Sequence, residues 1–492
     1  MVTVPVESKQ ADLTLPPPSL AVILAAGEGS RLARFRKSRP KPLIPLLGLS
    51  LVERTIVTCL EEGIRRFVVV LGYKAEAVRK HLEEIAARRN CEIECVVAPD
   101  WKRGNGASAR AAAGKVDSEP FLLLMADHLI DRSLVRTVCR TPLREGQVCL
   151  AVDRDRSAIL DEKDVTKTVV TDGRVRRVGK NLADWNAADT GVFLCTRALF
   201  DELERLDAGS LSEATNSLAM QGKLVAADAT GQPWLDVDTP EAYREAARRL
   251  LAGLGKPAGD GFISQYINRP ISTRLSALLA RTRLTPNWIT ALSFLISIAG
   301  AGLLALGQYA AGVAGALLVQ FGSIVDGCDG EIARLKHMAS ARGAWLDSML
   351  DRYADVAVAL AVTFAYASAN PEHWAWIGGF LAAWGFLLAG YVTKEFELRN
   401  GFPYPDDWLN RLKRRDLRLL IICAGALVGR PFYALLAAGA LTHFCIVGIL
   451  VKGWLMRRPR EAKPAAQALA LSSLKSGFSP APPLSRAATA QK

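Results

Sequence analysis

Short apolar runs alternate with helical patterns through the first half of the chain. Four of these runs are Leu20–Leu24, Phe67–Leu71, Ile93–Val97 and Phe121–Met125. Apolar runs of this length are typical of strands buried on both faces, and helices between such strands are typical of α/β folds. The pattern predicts a mostly parallel, Rossmann-like sheet in a domain covering residues 20–254. A flexible leader is predicted at 1–19.

Longer apolar stretches dominate the second half of the chain. Six of them are predicted to span a membrane, at approximately 288–307, 309–325, 345–368, 374–393, 417–429 and 431–451. The second and fifth are shorter than the roughly 20 residues that a helix needs to cross a bilayer. We therefore expect an all-α, six-helix transmembrane domain at 288–455.

A segment of mixed character joins the two halves. Gly255–Gly259 has the composition of a hinge, and in Phe262–Leu284 apolar residues alternate with four arginines. A basic, amphipathic helix of this kind is typical of the surface of an anionic membrane. Residues 255–287 are thus predicted to form a linker and an interfacial helix. The Ala- and Pro-rich segment 456–492 is predicted to be a disordered tail.

The net charge of +13 agrees with a membrane topology. Basic residues flank the first predicted span, fill the loops after the second and fourth, and follow the sixth, whereas the opposite loops hold only Arg430. The positive-inside rule then predicts an integral protein of the cytoplasmic membrane, with both termini and both active sites on the cytoplasmic side. The sequence has no recognisable basic and aromatic nucleic-acid module, so nucleic acid is not an expected partner.

Four aspartates lie between the second and third predicted spans. Asp326 and Asp329 are three residues apart, and Asp347 and Asp351 are four apart, so on helices each pair projects from one face. Carboxylates crowded at the end of a span repel one another unless cations lie between them. Hard divalent ions such as Mg²⁺ or Mn²⁺ are expected there.

The same segment resembles a known family. The spacing Asp-x2-Asp-Gly-x2-Ala-Arg-x8-Gly-x3-Asp-x3-Asp, filled by residues 326 to 351, is similar to the motif of the CDP-alcohol phosphotransferases. The resemblance implies that the four aspartates hold two divalent cations, and that Asp351 is also the base for the acceptor hydroxyl. The residues implied to position the nucleotide are Gly330, Ala333 and Arg334. Asp355, one turn beyond the motif, either tunes the site or pairs with an Arg or Lys of another helix.

A glycine-rich turn follows the first predicted strand. Residues 25–32 read Ala-Ala-Gly-Glu-Gly-Ser-Arg-Leu, and a Lys-Pro pair begins ten residues after the arginine. Backbone N–H groups in such a turn can bind phosphates. The combination resembles the opening motif of the sugar-phosphate nucleotidyltransferases, which implies that Arg31 and Lys41 are catalytic groups holding the triphosphate. The nucleotide-binding residues implied nearby are Ala25, Ala26, Gly27 and Gly29.

Later polar residues of this half complete the predicted nucleotide and metal sites. A turn that opens a small-residue helix is expected to recognise the base through Gly104, Asn105 and Ser108. Asp127 follows a predicted strand at the end where ligands bind in parallel sheets, and the resemblance implies that it holds the catalytic metal ion. His128 is interpreted as a structural neighbour.

A second metal carboxylate and an acceptor site are expected further along the chain. The second carboxylate is Asp236 or Asp238, of which we favour Asp236. By the same resemblance, the phosphorylated acceptor is bound by Lys180, Asp189 and Gly191.

The two halves together imply two successive reactions. CTP is the simplest choice of nucleotide, because the membrane half consumes a CDP-alcohol. The pairing, and the segment 260–273 between the halves, resemble the bifunctional proteins that join an inositol-1-phosphate cytidylyltransferase to a di-myo-inositol-phosphate phosphate synthase. This implies that CTP and inositol 1-phosphate give CDP-inositol, whose phosphoinositol group passes to a second inositol 1-phosphate with release of CMP. It also implies one Mg²⁺ or Mn²⁺ in the soluble domain and two in the membrane domain.

Two alternatives accompany this hypothesis. One keeps both chemistries with another polar alcohol or with a lipid acceptor, which a membrane location would suit equally well. The other is a transporter with a nucleotide-binding head. The distribution of ionisable residues argues against it, because they gather at one interface instead of lining a path through the bilayer. Membrane lipid is an expected partner, and a homodimer through the membrane domain is the oligomer that we consider.

Overall fold

The computed structural model describes residues 14–32, 39–117, 120–254 and 263–456. These residues divide into two compact units. The first takes the described residues up to 254, with 271–288 and 328–341, and the second takes 263–270, 289–327 and 342–456. The predicted hinge at 255–259, most of the predicted leader and nearly all of the predicted tail lie outside the described residues.

The first unit contains the predicted α/β domain. Its strands are β1 Leu20–Ala25, β2 Pro45–Leu46, β3 Leu49–Ser50, β4 Arg66–Leu71, β5 Glu92–Val97, β6 Phe121–Met125, β7 His128–Ile130, β8 Val148–Asp153, β9 Lys167–Thr171, β10 Arg174–Gly179, β11 Ala187–Cys195, β12 Leu224–Asp228 and β13 Trp234–Asp236. Helices of the same region are α1 Leu51–Glu61, α2 Ala75–Arg89, α3 Asn105–Arg110, α4 Arg132–Cys139, α5 Ala198–Arg205, α6 Leu211–Met220 and α7 Pro240–Ala252. The four strands predicted from the apolar runs are confirmed as β1, β4, β5 and β6.

The main sheet has the strand order β5-β4-β1-β6-β11-β8-β12-β10-β9. Strands β5, β4, β1 and β6 are parallel, as predicted, whereas β11 runs antiparallel to both β6 and β8. The sheet is therefore mixed rather than mostly parallel. The prediction is wrong for the part of the sheet beyond β6, because an apolar run shows that a strand is buried but not in which direction it runs. Strand β11 is almost entirely buried and still antiparallel to both neighbours, and β9 and β10 pair antiparallel.

Apolar layers cover both faces of the sheet. In β1, Leu20, Val22 and Leu24 pack into one core, whereas Ala21 and Ile23 pack into the other. Strands β1 and β6 are themselves almost entirely buried, so polar groups lie at their ends. Asp127, two residues after the end of β6, is one of them.

Helix α7 begins at a well-formed cap. Thr239 accepts a hydrogen bond from the backbone N–H of Ala242 at 3.1 Å, and Pro240 takes the first helical position. This cap holds the short connection from β13, which ends at Asp236, to α7, and the connection contains Asp238.

The remaining helices include those that carry the predicted membrane spans. They are α8 Arg269–Leu279, α9 Pro286–Ala305, α10 Tyr309–Leu335, α11 Ala341–Ala369, α12 His373–Asn400, α13 Trp408–Leu412, α14 Arg415–Leu427 and α15 Pro431–Leu455. Among the described residues, α9, α10, α12 and α15 are long and apolar enough to cross a membrane. The predicted third span lies on α11, whose first half is rich in charged residues, and the fifth lies on α14, which has only 13 residues.

Small residues bring α9 and α10 close together. A Cβ on Gly300 would lie 2.7 Å from the carbonyl oxygen of Gly315, and one on Gly315 would lie 2.6 Å from that of Gly300. Close backbone approach of this kind is typical of packed membrane helices. The contact positions α10, on which Asp326 follows about three turns later.

Candidate active sites

Asp127 lies just beyond the carboxyl end of β6. The next residue, His128, begins β7, which pairs with β13 so that Asp236 stands opposite His128. Ligand atoms of Asp127, His128 and Asp236 all lie within 4.8 Å of one another. The strand end that was predicted to hold one acid therefore brings together two carboxylates and an imidazole.

Lys41 supplies positive charge to this group. Its Nζ donates to Asp127 Oδ2 at 2.6 Å and to Asp238 Oδ1, and lies 4.0 Å from Asp236 Oδ1. Lys41 is 5% exposed, and a Cβ on Gly29, where φ is +71°, would lie 2.5 Å from Lys41 Cβ. The turn needs glycine here because it packs directly against the lysine.

The surrounding charges set the ionisation of the group. Burial opposes the charged form of Asp127, but Lys41 and His128 outweigh it and hold the pKa of that carboxyl below its usual range. At Asp236 burial dominates and raises the pKa. The pKa of His128 is raised because Asp236 and Asp127 outweigh the opposing effect of burial. The group thus combines a firmly ionised carboxylate with one that accepts a proton more readily.

Arg31 and Lys180 meet at one carboxylate that the sequence analysis missed. Arg31 pairs with Asp164 and lies 3.4 Å from Asp238 Oδ2, and Lys180 Nζ donates to Asp164 Oδ1 at 2.6 Å. Lys180 and Arg31 outweigh the effect of burial and lower the pKa of Asp164. Both basic side chains are more than half exposed, so they remain accessible to a ligand.

Side-chain hydrogen bonds brace the turn predicted to recognise the base. Gly104 has φ +133°, and a Cβ there would lie 2.4 Å from the carbonyl oxygen of Gly209. Asn105 Oδ1 accepts from the N–H of Leu211 at 2.9 Å, and Ser108 Oγ donates to the carbonyl oxygen of Gly104 at 3.0 Å. The turn is therefore held against the start of α6.

Asp189 and Gly191 lie at an irregularity in the pairing of β11 with β8. The N–H of Gly191, where φ is +74°, donates to Asp189 Oδ1 at 2.7 Å. Burial raises the pKa of Asp189 to about 6, although this hydrogen bond and the charge of His128 oppose the shift. The carboxyl of Asp189, which was predicted to bind the acceptor, thus keeps its proton to higher pH than an ordinary aspartate.

A cleft of about 810 Å³ brings most of the predicted residues of this half together. Those on its wall are Ala26, Gly27, Gly104, Asn105, Ser108, Asp127, Lys180, Asp189, Gly191 and Asp236. The wall does not include Ala25, Gly29, Arg31 or Lys41. Lys41 nevertheless contacts two aspartates of the wall, so it is next to the cleft.

In the second unit, two helices present carboxylates to each other. Asp326 of α10 and Asp347 of α11 have carboxylate oxygens within 4.8 Å of each other, and Ser293 Oγ of α9 donates to Asp326 Oδ1 at 3.0 Å. Along α10, Asp329 follows Asp326 by about one turn, and along α11, Asp351 follows Asp347 by about one turn. Each predicted pair therefore lies on a helix, as the spacing indicated.

Arg415 of α14 contacts three of the carboxylates. Its Nη1 lies 2.7 Å from Asp351 Oδ1 and 3.4 Å from Asp326 Oδ2, and its Nε donates to Asp355 Oδ1 at 2.9 Å. Arg418 Nη2 donates to the other oxygen of Asp355 at 3.0 Å. Asp355 is 2% exposed. The interpretation that Asp355 pairs with a basic residue of another helix is confirmed, whereas neither arginine was predicted as a site residue.

The residues predicted to position the second nucleotide continue along α10. Gly330 directly follows Asp329, and a Cβ there would lie 3.3 Å from Nη1 of Arg334. Ala333 and Arg334 are half-buried. The guanidinium of Arg334 thus lies over the glycine, on the part of the helix that carries the motif.

Comparison with known proteins matches each half to a transferase family. Residues 21–221 match the MobA-like NTP transferase domain, and residues 283–451 match the CDP-alcohol phosphatidyltransferases. A protein from Rubrobacter xylanophilus is 38% identical over 428 residues, which are 86% of this chain and 93% of that protein. Proteins from Aquifex aeolicus and Thermococcus kodakarensis are 32% and 35% identical, over 83% and 77% of this chain and 92% and 83% of their own lengths. All three are named bifunctional IPC transferase and DIPP synthase.

This chain belongs to the same family. The recognition made from the two motifs is therefore confirmed, and the chain is an enzyme with a nucleotidyltransferase domain followed by a CDP-alcohol phosphotransferase domain. The interpretation as a transporter has no support, because both halves match transferases. The four apolar helices together with the CDP-alcohol phosphotransferase domain indicate a membrane protein.

The donor groups of this family member suit divalent cations. Asp236 Oδ1 is buried and has no hydrogen-bond partner among the described residues, and Asp127 beside it is firmly ionised. A hard cation bound through oxygen would satisfy both. Asp238 is paired with both Lys41 and Arg31, whereas Asp236 keeps the oxygen without a hydrogen-bond partner in the described part of the chain, and on this ground Asp236 stays our predicted second ligand.

Proposed function

We propose that the chain catalyses two reactions in succession. CTP and inositol 1-phosphate give CDP-inositol and diphosphate, and CDP-inositol and a second inositol 1-phosphate then give di-myo-inositol phosphate phosphate and CMP. The observation that carries the proposal is that a chain of this family holds a carboxylate pair in each of two units. Asp127 and Asp236 form the first pair, beside a large cleft, and Asp326 and Asp347 form the second, on two helices.

In the first reaction, a phosphate oxygen of inositol 1-phosphate attacks the α-phosphorus of CTP, and diphosphate leaves. Lys41 and Arg31 bind the triphosphate, exchanging carboxylate partners for phosphate oxygens. The cytidine lies along the turns at 25–29 and 104–108, and the acceptor is bound by Lys180, Asp189 and Gly191. Asp127 and Asp236 would hold a divalent ion, which would supply charge neutralisation. No protein nucleophile is needed, since positioning and electrostatic stabilisation dominate phosphoryl transfer.

In the second reaction, a hydroxyl of the acceptor attacks the phosphorus that bears inositol, and CMP leaves. Asp326, Asp329, Asp347 and Asp351 would hold two divalent ions, which would supply charge neutralisation for the transfer. Asp351 takes the hydroxyl proton, and Arg415, 2.7 Å from its Oδ1, orients it. Gly330, Ala333 and Arg334 position the nucleotide.

The proposal includes an architecture. A cytidylyltransferase domain at 20–254 and a six-span phosphotransferase domain at 288–455 are joined by a linker and interfacial helix at 255–287. Both active sites face the cytoplasm, in keeping with the basic loops, and α11 and α14 supply the third and fifth spans. The charged first half of α11 lies at the cytoplasmic end of its span.

The test is product analysis on the purified full-length protein in detergent. With CTP, Mg²⁺ and isotopically labelled inositol 1-phosphate, mass spectrometry should detect CDP-inositol first and di-myo-inositol phosphate phosphate later, with matching release of diphosphate and CMP. A parallel reaction contains supplied CDP-inositol and a lipid alcohol but no inositol 1-phosphate. Transfer to the lipid alone would support the lipid-acceptor alternative, and failure to form CDP-inositol would overturn the proposal.

A further inference from the structure

His128 is fixed so that one ring nitrogen faces the carboxylates of the first site. Its ring stacks on Trp234, with the centroids 6.5 Å apart and the planes 15° apart. On the other side, a Cβ on Gly191 would lie 2.7 Å from His128 Nε2, so this part of the ring packs against bare backbone. The ring is therefore held with Nδ1 toward Asp127 and Asp236.

The distances from this nitrogen suit a shared metal ion. Nδ1 lies 2.9 Å from Asp127 Oδ1 and 3.9 Å from Asp236 Oδ1. Two ligand atoms that each lie about 2.1 Å from one ion can be no more than about 4.2 Å apart. Both separations meet this limit without movement of the backbone. Asp236 Oδ1, the more distant oxygen, is also the buried atom without a hydrogen-bond partner among the described residues.

We propose that His128 is a direct ligand of the metal ion in the nucleotidyltransferase site, through Nδ1, alongside Asp127 and Asp236. This rests on the proposed function, which assigns an ion to the two carboxylates but gives His128 no role. Ligation through Nδ1 places the remaining ring proton on Nε2.

A nitrogen ligand changes which ions the site selects. Carboxylates alone suit Mg²⁺, whereas an imidazole in the set shifts the preference toward transition ions. The site should therefore discriminate between Co²⁺ and Mg²⁺ more strongly than the second unit does, where the described candidate ligands are carboxylates. In the structure the ammonium group of Lys41 donates to Asp127. A bound triphosphate would offer this ammonium another partner and so free the Asp127 oxygen for the ion.

The test uses Mn²⁺ as a paramagnetic probe. Full-length protein labelled with ¹⁵N-histidine is loaded with Mn²⁺ in the presence of CTP and without acceptor, and pulsed EPR detects any directly coordinated ¹⁵N. The chain has five histidines, so one substitution identifies the source. The wild type should show one coordinated imidazole nitrogen. His128→Gln should lose it and bind Co²⁺ about tenfold or more weakly at this site, with a smaller change for Mg²⁺. His373→Gln is the matched control, because His373 is exposed at the start of α12.

The outcomes separate this inference from the proposed function. If Mn²⁺ binds and Asp127→Asn removes one bound ion, but the wild type has no coordinated histidine nitrogen, the inference is wrong and the carboxylate site stands. If Asp127→Asn leaves the number of bound ions unchanged, the proposed metal site of the first reaction is itself wrong, and the inference with it. A coordinated nitrogen that survives in His128→Gln also overturns the inference.

Discussion

Replacing Arg415 with glutamine should expose how strongly the second acidic cluster depends on a cation. The side chain of Arg415 is 15% exposed and contacts Asp326, Asp351 and Asp355. At an effective dielectric constant of about 20, each charge pair separated by about 4 Å contributes about 4 kcal/mol of attraction. Desolvation of the arginine offsets most of this sum, and breaking a buried pair costs about 3–5 kcal/mol. Asp355 retains Arg418, so we expect the lower end, about 3 kcal/mol of local stability.

Labelling of a buried thiol measures this loss where it occurs. Cys423 lies on α14 with Arg415 and is 5% exposed, so it reacts only when the helix opens. Since about 1.4 kcal/mol corresponds to a factor of ten, Arg415→Gln should speed its labelling about 100-fold in metal-free detergent solution. Saturating Mg²⁺ should recover much of the protection, because bound ions replace the missing positive charge. Peptide mass spectrometry distinguishes Cys423 from the other thiols.

Arg399→Gln is the control. Arg399 pairs with Glu395 at 2.6 Å near the end of α12, but its side chain is 76% exposed. An exposed pair contributes less than about 1 kcal/mol, so labelling of Cys423 should change less than about fivefold. The reasoning is refuted if Arg415→Gln behaves like this control, or if Mg²⁺ leaves its labelling rate unchanged.

Three further predictions concern the individual reactions. Lys41→Ala should abolish diphosphate release while CMP formation from supplied CDP-inositol continues, and loss of both activities in a folded protein would contradict the two-site account. Asp351→Asn should lower turnover of the second reaction by about 10²–10⁴-fold with little rescue by added Mg²⁺, whereas high Mg²⁺ should partly rescue Asp326→Asn; equal rescue would make Asp351 a ligand only. Asp189→Asn should raise the melting temperature at pH 8 and not below about pH 4. The reason is that the Asp189 carboxyl has a pKa of about 6 in the native state against the ordinary 3.8, so the native state loses stability as the pH rises between these values. A gain at pH 4 equal to that at pH 8 would contradict this assignment.

The strand-end acid and the helical acids could be predicted from local patterns alone. Asp127 follows a continuous apolar run, and Asp326 and Asp347 belong to a motif with fixed spacing, so their positions at a strand end and on two helices were predictable without tertiary contacts. Between Asp236 and Asp238, the sequence pattern supported only a preference for Asp236. In the structure Lys41 reaches toward both, and the β7–β13 register that puts Asp236 opposite His128 supports the same proposal.

The arginines of the second site could not be predicted in the same way. Lys413, Arg414, Arg415 and Arg418 form a basic cluster around the start of an apolar helix, and this pattern is equally typical of residues at a membrane surface. Which of them faces the acids depends on the rotation of α14 against α11, and packing sets that rotation. The i, i+3 spacing of Arg415 and Arg418, which puts them on one helix face, was the one available signal.

Complementation between two variants tests the central claim, two separate sites in one chain, most directly. Asp127→Asn should convert supplied CDP-inositol but not make it, and Asp347→Asn should make CDP-inositol from CTP but not consume it. Neither alone should form di-myo-inositol phosphate phosphate from CTP and inositol 1-phosphate. The account predicts that mixing the two folded proteins restores this product, because CDP-inositol made by one diffuses to the other. Loss of both partial reactions in either variant, or a mixture that remains inactive although each partial reaction is intact, would contradict it.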